Sequence, residues 1–200
     1  EALADSAPIL HSDRFPDGKS KEPTNLAAEI TMQVGEPDAA FERADVIVER
    51  TYSVPMCHQG YIEPHACVVR VDAAKRVDLW CCTQGHFTVR QYTAAVTGIS
   101  LGNIRVTPSE IGGGFGGKTT VYLEPIAVIL AQKSGRPVKM VMDRGDVFRT
   151  TVPAPGATTR VKLGATKNGR LVAADVECLM DSGAYNGNPA GIPAFMATAC

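Results

Sequence analysis

The sequence is expected to fold as α+β, a mixed sheet with hairpins and packed helices. Two pairs of strand-like runs are separated by turn-length spacers, which requires antiparallel pairing, while helical stretches lie between strands instead of being grouped apart. With 200 residues, 44% of them hydrophobic and 20% charged, the chain also holds enough apolar material for a sizeable core.

Residues 1–28 include "HSDRFPDGKSKEPTN", which is polar, rich in Pro, Asp and Lys, and without periodicity, so this segment reads as a linker. The folded part is expected over 29–200. "ITMQVG" (30–35) predicts a strand, "EPDAAFERA" (36–44) a short helix opened by Pro37, and "DVIVERTYSV" (45–54) a strand with alternating Val46, Val48 and Tyr52. "CVVRVD" and "RVDLWCCT" flank a hairpin turn, and Val89, Tyr92 and Val96 stand at helical spacing before Gly98, a helix stop. A strand follows at 103–107, then a glycine run, a helix from Pro125 to Ser134 capped by Gly135, and a strand in "PVKMVMD". "ATTRVKLGAT" and "LVAADVECLMD" flank "KNGR", whose Asn-Gly pair signals a second hairpin.

A formal net charge of -1, with Lys and Arg interspersed, gives no basic patch for nucleic acid or an anionic membrane. No apolar run reaches the roughly 18 residues of a membrane helix. The start at Glu1 and the apolar end "GNPAGIPAFMATAC" lead us to expect a piece of a longer chain. The six cysteines, at 57, 67, 81, 82, 178 and 200, contain no C-x-x-C pair for zinc or an iron-sulfur cluster. Neighbouring Cys81 and Cys82 point to opposite faces of a strand, so at least one is expected to be buried filling. A reduced, cytoplasmic setting fits this cysteine usage.

The stretch "EIGGGFGGKTT" (110–120) satisfies two nucleotide motifs at once. Gly112, Gly114 and Gly117 match G-x-G-x-x-G, and Gly112, Gly117, Lys118 and Thr119 match the phosphate loop, with Asp143 placed to be a ribose carboxylate or a magnesium acid. The spacing weighs against both. "PSE" separates the apolar "IRV" from the glycines, and "TTVYL" separates Lys118 from the helix whose N-terminus should face the phosphate. The remaining alternatives are a compact surface turn and a loop whose backbone approaches a ligand closely, with Phe115 offered as an apolar surface.

Four ordered blocks, "EPHACVV", "TQG", "EIGGGFGGK" and "GRPVKMVMDRGDVF", resemble the molybdenum-cofactor-binding subunit of the molybdenum hydroxylases. That family includes xanthine dehydrogenase, aldehyde oxidase and the carbon monoxide dehydrogenase large subunit, and the agreement spans about residues 30–185. The resemblance implies that 29–200 is the first part of the cofactor-binding domain, truncated at its C-terminal end, and that 1–28 arrives from a preceding domain. It implies a molybdenum-molybdopterin dinucleotide, in the cytosine form if the source is bacterial, with iron-sulfur and FAD partners and an aldehyde or N-heterocycle as substrate. Oxygen derived from water would be inserted at an electron-poor carbon.

By the same resemblance, Gln84 matches the glutamine placed beside the metal, and Phe115 and Gly116 match the Phe-Gly beside it. Gly113 and Gly114 share the cofactor-binding role, and backbone nests are a physical reason for such glycine density. The metal has no direct side-chain ligand. Glu63 and His65 are expected to brace the loop through hydrogen bonds instead of serving as an acid-base pair. Xanthine-oxidising members carry a glutamate after the glycine-run lysine, whereas this chain has Thr119, which weighs against a purine. The catalytic base is expected beyond Cys200, so the segment alone is expected to be inactive. The competing readings are a P-loop phosphotransferase and a non-catalytic interaction domain.

Overall fold

A computed structural model of the chain describes residues 2–4, 6–12, 23–181 and 183–184. Residues 13–22 of the expected linker and the whole of the final apolar run (187–200), with Cys200, lie outside the described residues. In chain order the elements are α1 (Pro37–Glu42), β1 (Val46–Val54), β2 (Ala66–Val71), β3 (Val77–Cys81), α2 (His86–Thr97), a 3-10 turn (Leu101–Asn103), β4 (Ile104–Pro108), α3 (Glu124–Ser134), β5 (Val138–Val141), α4 (Arg144–Thr150), β6 (Gly156–Ala165) and β7 (Leu171–Asp181). Helices mixed with two sheets make the class α+β, as expected. The chain divides into two units, Glu1–Met56 with Pro155–Cys200, and Cys57–Ala154.

The first unit holds an antiparallel sheet in the order β1-β6-β7. The "KNGR" turn joins β6 to β7 as expected: Gly169 takes a φ of 84°, and Thr166 and Arg170 close the loop through a 2.9 Å backbone bond. Helix α1 opens at Pro37 and buries Ala40 and Phe41 against Ala173. Gly164 on β6 faces the Phe41 ring, 3.1 Å from where a Cβ would stand. The strand expected at 30–35 is absent. Ile30, Met32 and Val34 alternate, but no described strand offers them a ladder, and all three are exposed.

The second unit carries the candidate site on a four-stranded sheet, β4-β3-β2-β5. The expected hairpin pairs β2 with β3 antiparallel, and β5 adds antiparallel to the far side of β2. Strand β4 pairs parallel to β3, and α2 makes the crossover between them. Alternation along β2 and β3 sends Cys67, Val69, Val77, Leu79 and Cys81 to one face. There α2 contributes Val89, and α3 contributes Ala127, Val128 and Ala131. Both helices stop at a left-handed glycine, Gly98 and Gly135, at the positions expected. The buried stripe of α2 differs from the expected one: Val89 is followed by Thr93 at i+4, while Tyr92 and Val96 face outward.

Helix α4 was not legible in advance. Asp143, weighed above as a ribose or magnesium ligand, is its N-cap: Asp143 Oδ1 accepts from Asp146 N (2.7 Å), and Asp146 Oδ2 accepts in return from Asp143 N (3.3 Å). The carboxylate that the nucleotide readings need is therefore committed to a capping box.

Candidate functional site

Strands β3 and β4 run parallel, so their carboxyl ends lie side by side. Beyond the end of β3 the chain passes through Cys82 and Thr83 to Gln84, and beyond the end of β4 it enters the glycine run. Loops that leave neighbouring parallel strands at this edge form a natural crevice for a ligand. Here they are bound to each other.

Gln84 is clamped from two directions. Its side-chain Oε1 accepts from the backbone N–H of Gly116 (3.0 Å) and of Lys118 (3.2 Å). Its own backbone N–H donates to the Lys118 carbonyl (2.9 Å), which also accepts from Thr83 Oγ1 (3.0 Å). Two N–H donors on one side of the amide fix its carbonyl there, and Nε2 is left with no partner among the described residues.

The run itself is a tight loop. Gly117 N donates to Gly114 O (2.8 Å), and left-handed φ occurs at Gly113 (93°), Phe115 (50°) and Gly116 (89°). Glycine tolerates this region freely, whereas Phe115 is held there against its preference. Phe115 is 74% exposed. Gly114 is needed for another reason, because a Cβ there would overlap the Gln84 amide. The backbone N–H groups of Gly113, Gly114 and Phe115 have no acceptor among the described residues. Together with Gln84 Nε2 they form a set of unspent donors, the arrangement that suits an anionic or oxygen-rich group.

Behind the loop lies a polar cluster. Lys118 is 1% exposed, and its Nζ stands 2.6 Å from Glu63 Oε2 and 5.1 Å from the centre of the Tyr61 ring. Glu63 Oε2 also accepts from Gly112 N (2.9 Å). Burial pushes the Glu63 carboxyl up, but the hydrogen bonds from Lys118 and Gly112 and the lysine charge outweigh it, so the net shift is downward. The Tyr61 hydroxyl lies 2.8 Å from His65 Nε2 and donates to Thr151 Oγ1 (3.2 Å). Burial, and then the nearby Lys118 charge, lower the His65 pKa to about 4, so the ring is neutral.

The expected site residues Gln84, Gly113, Gly114, Phe115 and Gly116 thus meet in one place, and Glu63 braces the loop. His65 reaches the Tyr61 hydroxyl instead of the loop itself. Sequence reasoning missed Tyr61 and Thr151, and it missed that Glu63 is the partner of Lys118. A lysine beside five glycines without a phosphate calls for a counter-ion, and Glu63 in "IEPH" was available to supply it. With its ammonium enclosed, Lys118 is not presented to solvent as a phosphate loop requires.

The residues present suit the oxygen-rich groups of a pterin cofactor. The loop offers unspent N–H donors at Gly113, Gly114 and Phe115 beside the Gln84 amide.

A family model described as the molybdopterin cofactor-binding domain matches residues 19–200. The chain is 30% identical over 221 residues to the probable hypoxanthine oxidase XdhD of Escherichia coli (strain K12), covering 96% of this chain and 23% of that protein. It is 32% identical over 184 residues to the nicotinate dehydrogenase large molybdopterin subunit of Eubacterium barkeri, covering 92% of this chain and 41% of that protein. Among solved structures, the reconstituted CO dehydrogenase of Oligotropha carboxidovorans superposes with a TM-score of 0.70 at 28% identity, over 88% of this chain and 23% of that one. The aldehyde oxidoreductase of Desulfovibrio gigas shares the fold, with a TM-score of 0.72 at 20% identity, over 90% of this chain and 19% of that one. The chain therefore spans less than half the length of each of these relatives, and it belongs to the molybdopterin cofactor-binding domain family of the molybdenum hydroxylases.

Proposed function

We propose that this segment forms part of the cofactor cage in the catalytic subunit of a molybdenum hydroxylase acting on an aldehyde or an N-heterocycle. The carrying observation is the clamp on Gln84: its carbonyl is spent on Gly116 and Lys118, which leaves its N–H₂ group unspent on an amide that lies against the glycine loop. An amide held this way donates a hydrogen bond at any pH without ionising, which suits a site where charge develops during reaction.

When bound, the molybdenum-molybdopterin dinucleotide, in the cytosine form for a bacterial enzyme, supplies a two-electron oxidation with water-derived oxygen. The chain's own residues bind and orient. Gln84 and the amides at Gly113, Gly114 and Phe115 hold the cofactor from one side, and Gly116 keeps the loop turned towards Gln84. The exposed Phe115 ring offers a flat apolar surface against which an aromatic or aldehyde substrate can stack. Thr119 donates to the Gly116 carbonyl (3.0 Å) and brings no carboxylate to its position, which supports a substrate other than a purine. The catalytic base lies outside the segment in this reading, and iron-sulfur and FAD partners carry the electrons onward in the cytoplasm. The relatives named for nicotinate and carbon monoxide dehydrogenation support membership of such an assembly.

The test is elemental analysis of the full-length protein that contains this segment, with identification of the nucleotide released on denaturation. About one molybdenum per chain, with a pterin and a cytidine nucleotide, is the expected result. Absence of both metal and pterin from protein produced in a molybdenum-replete host would overturn the proposal.

A further inference from the structure

We propose that Glu63 and Lys118 fasten the two ends of the glycine run and thereby fix the direction of the Gln84 amide, which makes both of them positioning residues for the cofactor. The inference rests on the cofactor-binding reading of that loop, and it concerns how the loop is held.

The ends of the run meet at one carboxylate. At the entrance, Glu63 N donates to Gly112 O (3.2 Å), and Gly112 N donates to Glu63 Oε2 (2.9 Å). At the exit, Lys118 Nζ reaches the same Oε2 at 2.6 Å. The backbone of Lys118 then takes hold of Gln84, giving its N–H to Oε1 and accepting from the Gln84 N–H. The path from Glu63 to the Gln84 amide therefore runs through one residue.

The glycines divide their work accordingly. A Cβ on Gly112 would stand 2.8 Å from Glu63 Cβ, and one on Gly117 would stand 2.7 Å from the Tyr61 ring. These outer glycines allow the loop to approach Glu63 and Tyr61. The inner Gly113 and Gly116 supply the left-handed turns. The fastening is enclosed, with Lys118 almost wholly buried and Glu63 about one-third exposed. An enclosed ammonium holds its place only while its partner is charged, so removing either group releases more than a single contact.

Backbone hydrogen exchange, followed by mass spectrometry on the cofactor-free full-length protein, tests the inference without relying on turnover. In Glu63→Gln, peptides reporting the amides of Gly112, Gly116 and Lys118 are expected to exchange about tenfold faster or more, while peptides covering Val69, Leu79 and Val89 keep their protection. Because Glu63→Gln leaves an uncompensated lysine and can unfold, the double variant Glu63→Gln, Lys118→Met is measured beside it. Without the buried charge it is expected to keep core protection and still lose loop protection. Molybdenum per chain is then expected to fall in both variants.

Unchanged loop exchange in the folded double variant overturns the inference even if the wild-type protein is full of molybdenum. Loss of loop protection with molybdenum retained in full also overturns it, because the positioning would then have no consequence for the cofactor. A wild-type protein without molybdenum contradicts the cofactor reading, and with it the role of this pair towards a cofactor, whatever the loop exchange shows.

Discussion

Gln84 and Lys118 hold each other from both sides: Lys118 N donates to Gln84 Oε1 at 3.2 Å, and Gln84 N donates to Lys118 O at 2.9 Å. Gln84 therefore cannot turn its amide without breaking contact with the loop. Two substitutions separate position from chemistry. Gly114→Ala puts a methyl where the Gln84 amide lies and displaces it; a displacement on the order of 1 Å at a reacting centre lowers the rate about 100-fold. Gln84→Glu keeps an acceptor for Gly116 and Lys118 but loses the unspent donor. It is expected to lower kcat while leaving loop exchange near the wild-type rate. Steady-state kinetics and hydrogen exchange on the full-length enzyme check the pair, and an unchanged kcat in Gln84→Glu would remove the donor role.

Phe115 combines a left-handed φ of 50° with a ring that is mostly in solvent. The conformation costs about 1 kcal/mol for a non-glycine residue, and the exposed ring repays little of that through packing. Phe115→Gly is therefore expected to shift stability by no more than about 1 kcal/mol in either direction, while kcat/KM for an aromatic substrate falls through a raised KM. Thermal denaturation and substrate titration on the same preparation decide this. A large loss of stability would mean that the ring packs against something else in the full-length protein.

Cys67, Cys81 and Cys82 are buried on the sheet that carries the site. Burial and then the charge of Glu124 push the Cys67 thiol up to about 12 and move Cys81 upward as well; burial also raises Cys82. Thiolate is the reactive form, so these three are expected to resist iodoacetamide at pH 8 in the folded protein and to react fully in denaturant. Peptide mass spectrometry after alkylation reads this directly. Alkylation of Cys67 or Cys81 without unfolding would show that this sheet opens.

The parts of the fold that were legible obey local rules. The hairpin at "KNGR" and the helix stops at Gly98 and Gly135 depend on backbone preferences within a few residues, and all three occur where expected. The strand expected at 30–35 failed because a strand needs a partner, and apolar alternation at Ile30, Met32 and Val34 does not say whether one exists. Helix α4 escaped because its capping box uses Asp146 where Glu or Gln is usual, and Asp143 had been weighed as a ligand. In the site, Gln84 and Phe115 were singled out by resemblance. The pairing of Lys118 with Glu63 joins residues 55 apart in sequence, and no local pattern announces it.

The cluster behind the loop makes acid sensitivity a measurable property of this site. His65 has a folded pKa of about 4 against 6.5 for the free side chain, because burial, and then the Lys118 charge, disfavour the imidazolium. Above pH 6.5 neither the folded nor the unfolded state is protonated there. Between 6.5 and about 4 the unfolded state takes up a proton that the folded state refuses, so stability falls as pH falls across that window. The full effect is on the order of 3 kcal/mol, and it is complete below about pH 4. Glu63 acts in the same direction at lower pH. Its folded pKa lies below 4.5, so its contribution is present above that value and is lost as pH falls through the folded pKa. His65→Gln keeps a donor for the Tyr61 hydroxyl but cannot titrate. It is expected to be less stable than wild type at pH 7.5 and to lose less stability between pH 6.5 and 4. Urea midpoints of the full-length protein across that range provide the comparison. Parallel curves for the two proteins would mean that the ring takes up its proton alike in the folded and unfolded states, so that burial and the Lys118 charge do not disfavour the imidazolium.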